Sequence, residues 1–497
     1  MNALSIAMKF KLRPIFKDIA LTFITQAIVL AAFFFVYRLI AQNFGPKGVG
    51  EYSLVKRMIG FTQSILLLGL GVGIPRYIAM SRDKKQRSGY IRAGGFVVVI
   101  FAFISLLCMN LLKDYCAKTF FGNIDYAYLI LPFSFFAAGL ILHSLVYAYF
   151  RGRLFVKTFN SLQIINLALV PLIILVFFEE ITIEKLITLM GATTLIISLL
   201  FSLFFVKEFF IHIEKQQLKN SLKELLCYGL PRVPGDFALA GLFSLGPIFA
   251  AHFASIQEVG YLSISQSLLN MVAIVIVPVS TILLPKIGSV IINGREEAIR
   301  ETVDFLIGAV LQCFIFVTLQ LLILADVIIN YWLGPGFSAA VPVMRIVFTS
   351  ITFYVLYVAV RSVLDAVKVK PLNAINLFVS LGIFLLGTWI LLFFDLFSPI
   401  ISLSIAFTSG IMCLGLLTYV SIRRIYPGII KKDLSYLMSA IVISVLLGGI
   451  AMLGKSFISH KFYHLIAFEV LLGVIYLSIL WLLRIDWIRQ IPEKIIL

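Results

Sequence analysis

The sequence predicts an all-α polytopic membrane protein of fourteen transmembrane helices, and three observations carry that prediction. Mean hydropathy is +1.05 over 497 residues, 61% of residues are hydrophobic, and only 13% are charged, where soluble domains carry roughly 25%. A crossing helix needs about 20 apolar residues, and the chain contains fourteen apolar stretches of 19 to 24 residues. They lack the two-residue alternation of transmembrane β-barrel strands. The first run, 19–41, follows Lys9, Lys11, Arg13 and Lys17 as a signal sequence would, but its length marks an uncleaved span. Runs at 52–74, 93–112, 127–150, 159–178 and 186–206 complete an N-lobe over 1–206. A cytoplasmic linker, 207–232, leads to runs at 233–253, 261–284, 303–325, 340–360, 372–394 and 399–420, the C-lobe over 233–422. Two further runs, 434–453 and 465–483, fall in 423–497.

The basic residues test this count, because one missed helix would scramble the alternation of sides. Thirty of the 41 Lys and Arg fall on alternate loops, among them Arg82, Lys84, Lys85, Arg87, Arg92, Arg151, Arg153 and Lys157. By the positive-inside rule those loops and both termini are cytoplasmic. Topology thus accounts for most of the net charge of +17, and no nucleic-acid partner is implied. The five cysteines are too scattered for a disulfide framework or a CxxC metal site.

The chain also repeats itself. A shift of 210 residues lays Val49, Gly50 and Ser53 over Val259, Gly260 and Ser263, and Pro75-Arg76 over Pro285-Lys286. The match continues with Gly122 over Gly334 at 212, and Lys157 and Asn160 over Lys370 and Asn373 at 213. Six spans separate matching points, an even number, so the two lobes keep one orientation about an axis along the membrane normal, an arrangement found in alternating-access transporters. The last two spans lie outside the duplication.

The stretch Phe44-Gly45-Pro46-Lys47-Gly48-Val49-Gly50-Glu51-Tyr52-Ser53-Leu54, followed by Leu68-Gly69-Leu70-Gly71-Val72-Gly73-Ile74-Pro75-Arg76-Tyr77, resembles the loop and second helix of the polysaccharide-biosynthesis (Wzx/PST-type) flippases. So does Trp332-Leu333-Gly334-Pro335-Gly336-Phe337 before the tenth span. These flippases belong to the multidrug/oligosaccharidyl-lipid/polysaccharide (MOP) exporter superfamily. The resemblance implies a MATE-like fold in a prokaryotic plasma membrane, and a substrate of oligosaccharide linked to a polyprenyl (pyro)phosphate, moved from inner to outer leaflet. Membrane lipids are the other expected partners and a monomer the expected state. Physical chemistry fits that substrate: the headgroup cannot shed its hydration in hydrocarbon, so its path must be wet, polar and open sideways to lipid.

Such a path should be positively charged, and five cations lie inside predicted spans or at their ends: Arg38, Lys56, Arg57, Arg345 and Arg361. An embedded charge costs about 2.5 to 3.5 kcal/mol on insertion scales and faces a bundle interior or water. Arg38 and Arg345 lie near span ends, where snorkelling to the interface is the alternative. Lys56 and Arg57, adjacent on a helix, point roughly 100° apart and cannot both face lipid. For Arg361 the alternative is a structural i,i+4 pair with Asp365. Asp236, after Pro234-Gly235, is either a helix cap or part of a site for H⁺ or Na⁺ at a broken helix start. Asp304 reads as a cap or an interface residue, Glu469 has no evident role, and His143 and His252 are too isolated for a metal site.

Gly69, Gly71 and Gly73 spell GxGxG inside a span rather than after a strand, which indicates close packing or a flexible point, not nucleotide binding. Pro132, Pro171, Pro247 and Pro278 are expected to kink their spans. No ATP hydrolysis by this chain and no cofactor are expected, so energy would come from an H⁺ or Na⁺ gradient, the membrane potential or removal of product. Two rival functions are an ion-coupled multidrug exporter of the same superfamily and an oligosaccharide polymerase or ligase. The basic bias and the last two spans argue against the first. The absence of a long extracytoplasmic loop argues against an enzyme.

Overall fold

The computed structural model describes residues 3–178, 180–277, 296–367, 372–427, 434–455 and 462–483. Among them secondary structure is entirely helical, as hydrocarbon demands: a helix satisfies its N–H and C=O groups within one segment. Nine helices among the described residues are long and apolar enough to cross a membrane, and a bent pair makes a tenth. Every predicted span overlaps a helix, an arrangement compatible with fourteen crossings. Pro278, Pro285, Lys286, Lys370 and the side chain of Asp365 lie outside the described residues. The chain divides into two compact units, Met1–Gly260 and Tyr261–Leu497.

The first unit opens with α1 (Ala3–Leu66), which contains the first predicted span and most of the second, separated by a single non-helical residue, Gly45, at φ 63° and ψ −167°. Pro46 is the cause: its ring disfavours helical backbone in the residue before it, and glycine accepts the left-handed φ without a Cβ penalty. The second predicted span is not one helix. It ends at Leu66 and resumes as α2 (Leu70–Met80), after a turn in which Leu68 and Gly69 take φ of 48° and 69°.

The unit continues with α3 (Lys84–Leu111), α4 (Lys113–Phe121), α5 (Ile130–Gly152), α6 (Val156–Ile164), α7 (Val170–Phe177), α8 (Ile183–Ser202), α9 (Val206–Phe209), α10 (Lys215–Gly229), α11 (Val233–Phe253) and the first turn of α12 (Ile256–Ile274). Asp83 caps α3, accepting from the Gln86 N–H at 2.8 Å, while Gln86 Oε1 accepts from the Arg82 N–H at 2.9 Å. Both orphan donors at that helix start are thereby satisfied. Pro132 and Pro171 lie inside the continuous helical segments Ile124–Gly152 and Val156–Phe177, Pro132 just after the 3₁₀ turn Ile124–Leu129 and Pro171 just after the π-helical turn Ile165–Leu169, local changes of helix type that accommodate a missing N–H. Pro247 lies inside α11.

The segment 207–232 is folded onto the unit rather than strung across it. Amphipathic α10 places Leu225 in the same apolar core as Ile74, Ile91 and Val98 of α2 and α3. A Cβ on Gly69 would lie 2.4 Å from the Gly229 carbonyl oxygen, and one on Gly229 would lie 2.5 Å from that of Leu68. The glycine run was expected to serve close packing or flexion, and here it lets two backbones touch. Around α9, Glu208 accepts from Arg153 at 2.7 Å, Arg87 at 3.3 Å and the Tyr149 hydroxyl at 3.1 Å. Arg92 donates to the carbonyls of Phe209 and Ile211, and Tyr90 to the Glu224 carboxylate. A 3₁₀ turn, Leu230–Arg232, joins α10 to α11, so the chain is helical from Lys215 to Phe253. Pro234 follows that turn directly, in the first turn of α11, so the change of helix type falls where its ring and missing N–H would disturb a regular helix.

The second unit contains the rest of α12, then α13 (Glu296–Ile323), α14 (Ala325–Trp332), α15 (Ala340–Phe348), α16 (Ile351–Val367), α17 (Leu372–Phe393), α18 (Pro399–Ile425), α19 (Leu434–Gly454) and α20 (Phe462–Leu482). Asp304 lies at least two turns inside α13, which is described from Glu296 onward, so it is not the cap of that helix and its reading as an interface residue stands. The tenth span is a bent pair, α15 and α16, at 46°. The bend coincides with Thr349 and Ser350, whose hydroxyls donate to the carbonyls of Ile346 at 2.6 Å and Val347 at 2.7 Å, a back-bonding that bends helices. α19 and α20 attach to α13: Tyr476 stacks on Phe316 with ring centroids 4.4 Å apart, and its hydroxyl donates to the Gln312 carbonyl at 2.8 Å.

Candidate functional site

Four of the six candidate residues, Arg38, Lys56, Arg57 and Asp236, belong to the first unit, and Arg345 and Arg361 to the second. Lys56 and Arg57 diverge as their helical spacing requires. The Lys56 ammonium lies 3.9 Å from the Phe33 ring centroid, 5.4 Å from that of Tyr52 and 5.6 Å from that of Tyr37. Three ring faces therefore stabilise a cation that would otherwise be poorly solvated among apolar groups. Arg57 is half-buried where α1 packs on α11: its guanidinium carbon is 5.8 Å from the Phe243 centroid, and its carbonyl accepts from the Ser244 hydroxyl at 3.0 Å. One turn on, Phe61 meets Phe237 with centroids 5.0 Å apart, which makes the two helices antiparallel. Asp236 therefore lies on the same helix pair, roughly 10 Å along the axis from the Arg57 level.

Asp236 is exposed in the first turn of α11, whose N-cap position is held by Arg232. Arg38 is exposed on α1. Arg345 donates to the Leu322 carbonyl at 3.2 Å and pairs at 3.6 Å with Asp326, which also accepts from the Lys455 ammonium at 2.6 Å. Burial works against ionisation of Asp326, but the hydrogen bonds and charge of Lys455, the residue's own backbone N–H and the charge of Arg345 outweigh it and hold the carboxyl below its ordinary value. Arg361 lies on α16 with its guanidinium carbon 5.9 Å from the Tyr357 centroid.

Uncharged polar groups inside the spans went unnoticed in the sequence. In the first unit the Asn166 amide donates to Ser198 at 3.0 Å and lies 3.0 Å from His143 Nδ1, all three side chains buried. Asn166 falls in a π-helical turn, Ile165–Leu169, and such turns occur frequently at functional sites. Gln63 donates to Ser144 at 2.7 Å. In the second unit Tyr354 donates to Asn270 at 2.8 Å, and Thr318 and Thr352 lie 2.9 Å apart. The available signal was polar residues at three- and four-residue spacing within apolar runs.

Solved transporters share this architecture. The inward closed conformation of the lipid II flippase MurJ superposes with a TM-score of 0.72 at 15% identity, covering 94% of this chain and 99% of that one. The inward-facing conformation of a multidrug resistance MATE family transporter of the MOP superfamily gives 0.65 at 13%, covering 82% and 96%. A MOP superfamily transporter from Pyrococcus furiosus gives 0.58 at 15%, covering 82% and 95%. At these identities the likeness is one of fold. Residues 15–290, more than half of the chain, match the family described as "Polysaccharide biosynthesis protein", and the chain belongs to that family. No curated protein sequence matches it.

Proposed function

We propose that this multi-pass membrane protein is a flippase that moves a polyprenyl-(pyro)phosphate-linked oligosaccharide from the inner to the outer leaflet by alternating access, for surface glycan assembly. The observation that carries the reading is the family match over residues 15–290. The MOP-type fold supports it, since that is a fold of transporters rather than of enzymes.

Within this reading, the lobes 1–206 and 233–422 alternate access, joined by 207–232, with both termini cytoplasmic, the plasma membrane as location and a monomer as the working unit. Arg57 is the foremost of the cations offered to the phosphates, because it is half-buried inside a predicted span, over the Phe243 ring. Arg38, Lys56, Arg345 and Arg361 complete the candidate set. Asp236 is the candidate carrier of a coupling H⁺ or Na⁺, which requires its affinity for the ion to differ between the two access states.

Reconstituted liposomes test the function and its coupling together. A fluorescent polyprenyl diphosphate oligosaccharide in the outer leaflet should become protected from a membrane-impermeant quencher when the protein is present, in proportion to an imposed pH or Na⁺ gradient. Asp236→Asn should abolish the gradient response and leave passive exchange. Absence of exchange in wild type, with movement of a cationic drug instead, would replace the flippase by its multidrug rival.

A further inference from the structure

Two polar stripes in the second unit meet inside predicted spans. On α12, Gln266 and Asn270 are four residues apart and share a helix face. On α16, Tyr354, Tyr357 and Arg361 recur at three- and four-residue spacing and share another. The stripes are joined: the Tyr354 hydroxyl donates to Asn270 Oδ1 at 2.8 Å, and Asn270 Nδ2 donates to the Gln266 carbonyl at 3.2 Å. The Tyr354 and Tyr357 rings are 6.1 Å apart and 26° from parallel, with the Arg361 guanidinium beyond Tyr357. Gln266 is 0% exposed, and neither atom of its amide has a hydrogen-bond partner among the described residues.

An unpaired amide in an apolar interior is costly. A leucine would fill the same space without that cost, so Gln266 needs a state in which its amide is paired. The chemistry along the seam selects the partner. Amides and a phenol offer donors and acceptors together, and the tyrosines offer ring faces. A neutral polyol calls for this mixture of donors, acceptors and ring faces. Arg361 adds one cation at one end, suited to phosphate, and the seven residue steps from Tyr354 to Arg361 span roughly 10 Å.

We propose that this seam is the glycan subsite of the flippase: Gln266, Asn270 and Tyr354 hydrogen-bond sugar hydroxyls, Tyr357 supplies a ring face, and Arg361 holds the phosphate that links sugar to lipid. The inference rests on the flippase reading and assigns its substrate's two chemical halves to different residues. Asn270 and Arg361 are half-exposed while Tyr354 and Gln266 are buried, so the glycan enters from the Asn270 and Arg361 ends of the seam.

The test is binding to the full chain in nanodiscs, with two probes: a polyprenyl diphosphate bearing a disaccharide, and the same lipid without sugar. Gln266→Leu and Tyr354→Phe should each weaken the glycosylated probe about tenfold, the size of one or two lost hydrogen bonds, and leave the sugar-free probe unchanged. Arg361→Gln should weaken both. Should Gln266→Leu misfold, Tyr354→Phe removes only one hydroxyl and decides alone. Equal weakening of both probes, or no change in either, overturns the seam while wild-type binding keeps the flippase reading. A wild type that binds neither probe overturns both.

Discussion

Lys56 and Arg57 are neighbours in sequence that part company in space, one enclosed by Phe33, Tyr37 and Tyr52 and the other laid across Phe243. The insertion cost of a charge made both visible in the sequence, but the ring partners come from separate parts of α1 and from α11, and no local spacing predicts such contacts. Arg57→Ala should slow flipping about tenfold or more, the loss of a charge-assisted phosphate contact being worth about 1.5–3 kcal/mol, with the melting temperature near wild type. Arg57→Lys should retain part of the rate, since a mobile headgroup needs charge more than fork geometry. Normal transport by Arg57→Ala would remove it from the path. Gln266, Asn270 and Asn166 escaped the sequence reading for the opposite reason: one uncharged amide barely disturbs the hydropathy of its run.

At the scale of elements, the apolar runs locate the helices, but their interruptions follow contacts that a run does not display. The turn after Leu66 stands where Gly69 meets Gly229, a residue 160 positions away. The bend before α16 arises from Thr349 and Ser350, residues common in straight helices too. Gly69→Ala must place a Cβ at φ 69° and 2.4 Å from a carbonyl oxygen, and should destabilise the protein by about 1–3 kcal/mol. Gly71→Ala is the internal control, its nearest neighbour being Leu67 Cδ1 at 4.0 Å. Similar melting temperatures for the two variants would refute the crossing. Glu469, without a role in the sequence, lies seven residues before Tyr476 and so on the face of α20 that packs on α13.

The Asp326 pair gives the second unit a pH dependence of known sign. Its folded carboxyl is held below the ordinary 3.8, so its contribution is complete above that value and is lost as pH falls through the lower folded value. The melting-temperature gap between wild type and Asp326→Asn should be widest near neutrality and close in acid. A gap that widened in acid would contradict the pairing with Lys455.

For the whole molecule, hydropathy revealed the helical membrane class, and charge placement supplied an orientation that remains a proposal. Exposed Lys118 and Lys85 test it. In a cysteine-free background, Lys118→Cys should react with an impermeant maleimide applied to intact cells, and Lys85→Cys only after permeabilisation. The reverse pattern would invert the topology.

The folded joint at 207–232 bears on how such a chain could have evolved. A duplication followed by fusion begins with two interchangeable copies and a dispensable connector. Here the connector has acquired its own side-chain contacts, through Glu208, Leu225 and the backbone of Gly229. Severing the polypeptide within it, or replacing it with a Gly-Ser spacer, would strip α2 and α3 of packing partners. The first unit thereby depends on this joint, and its parts could be exchanged between relatives only with the joint carried along.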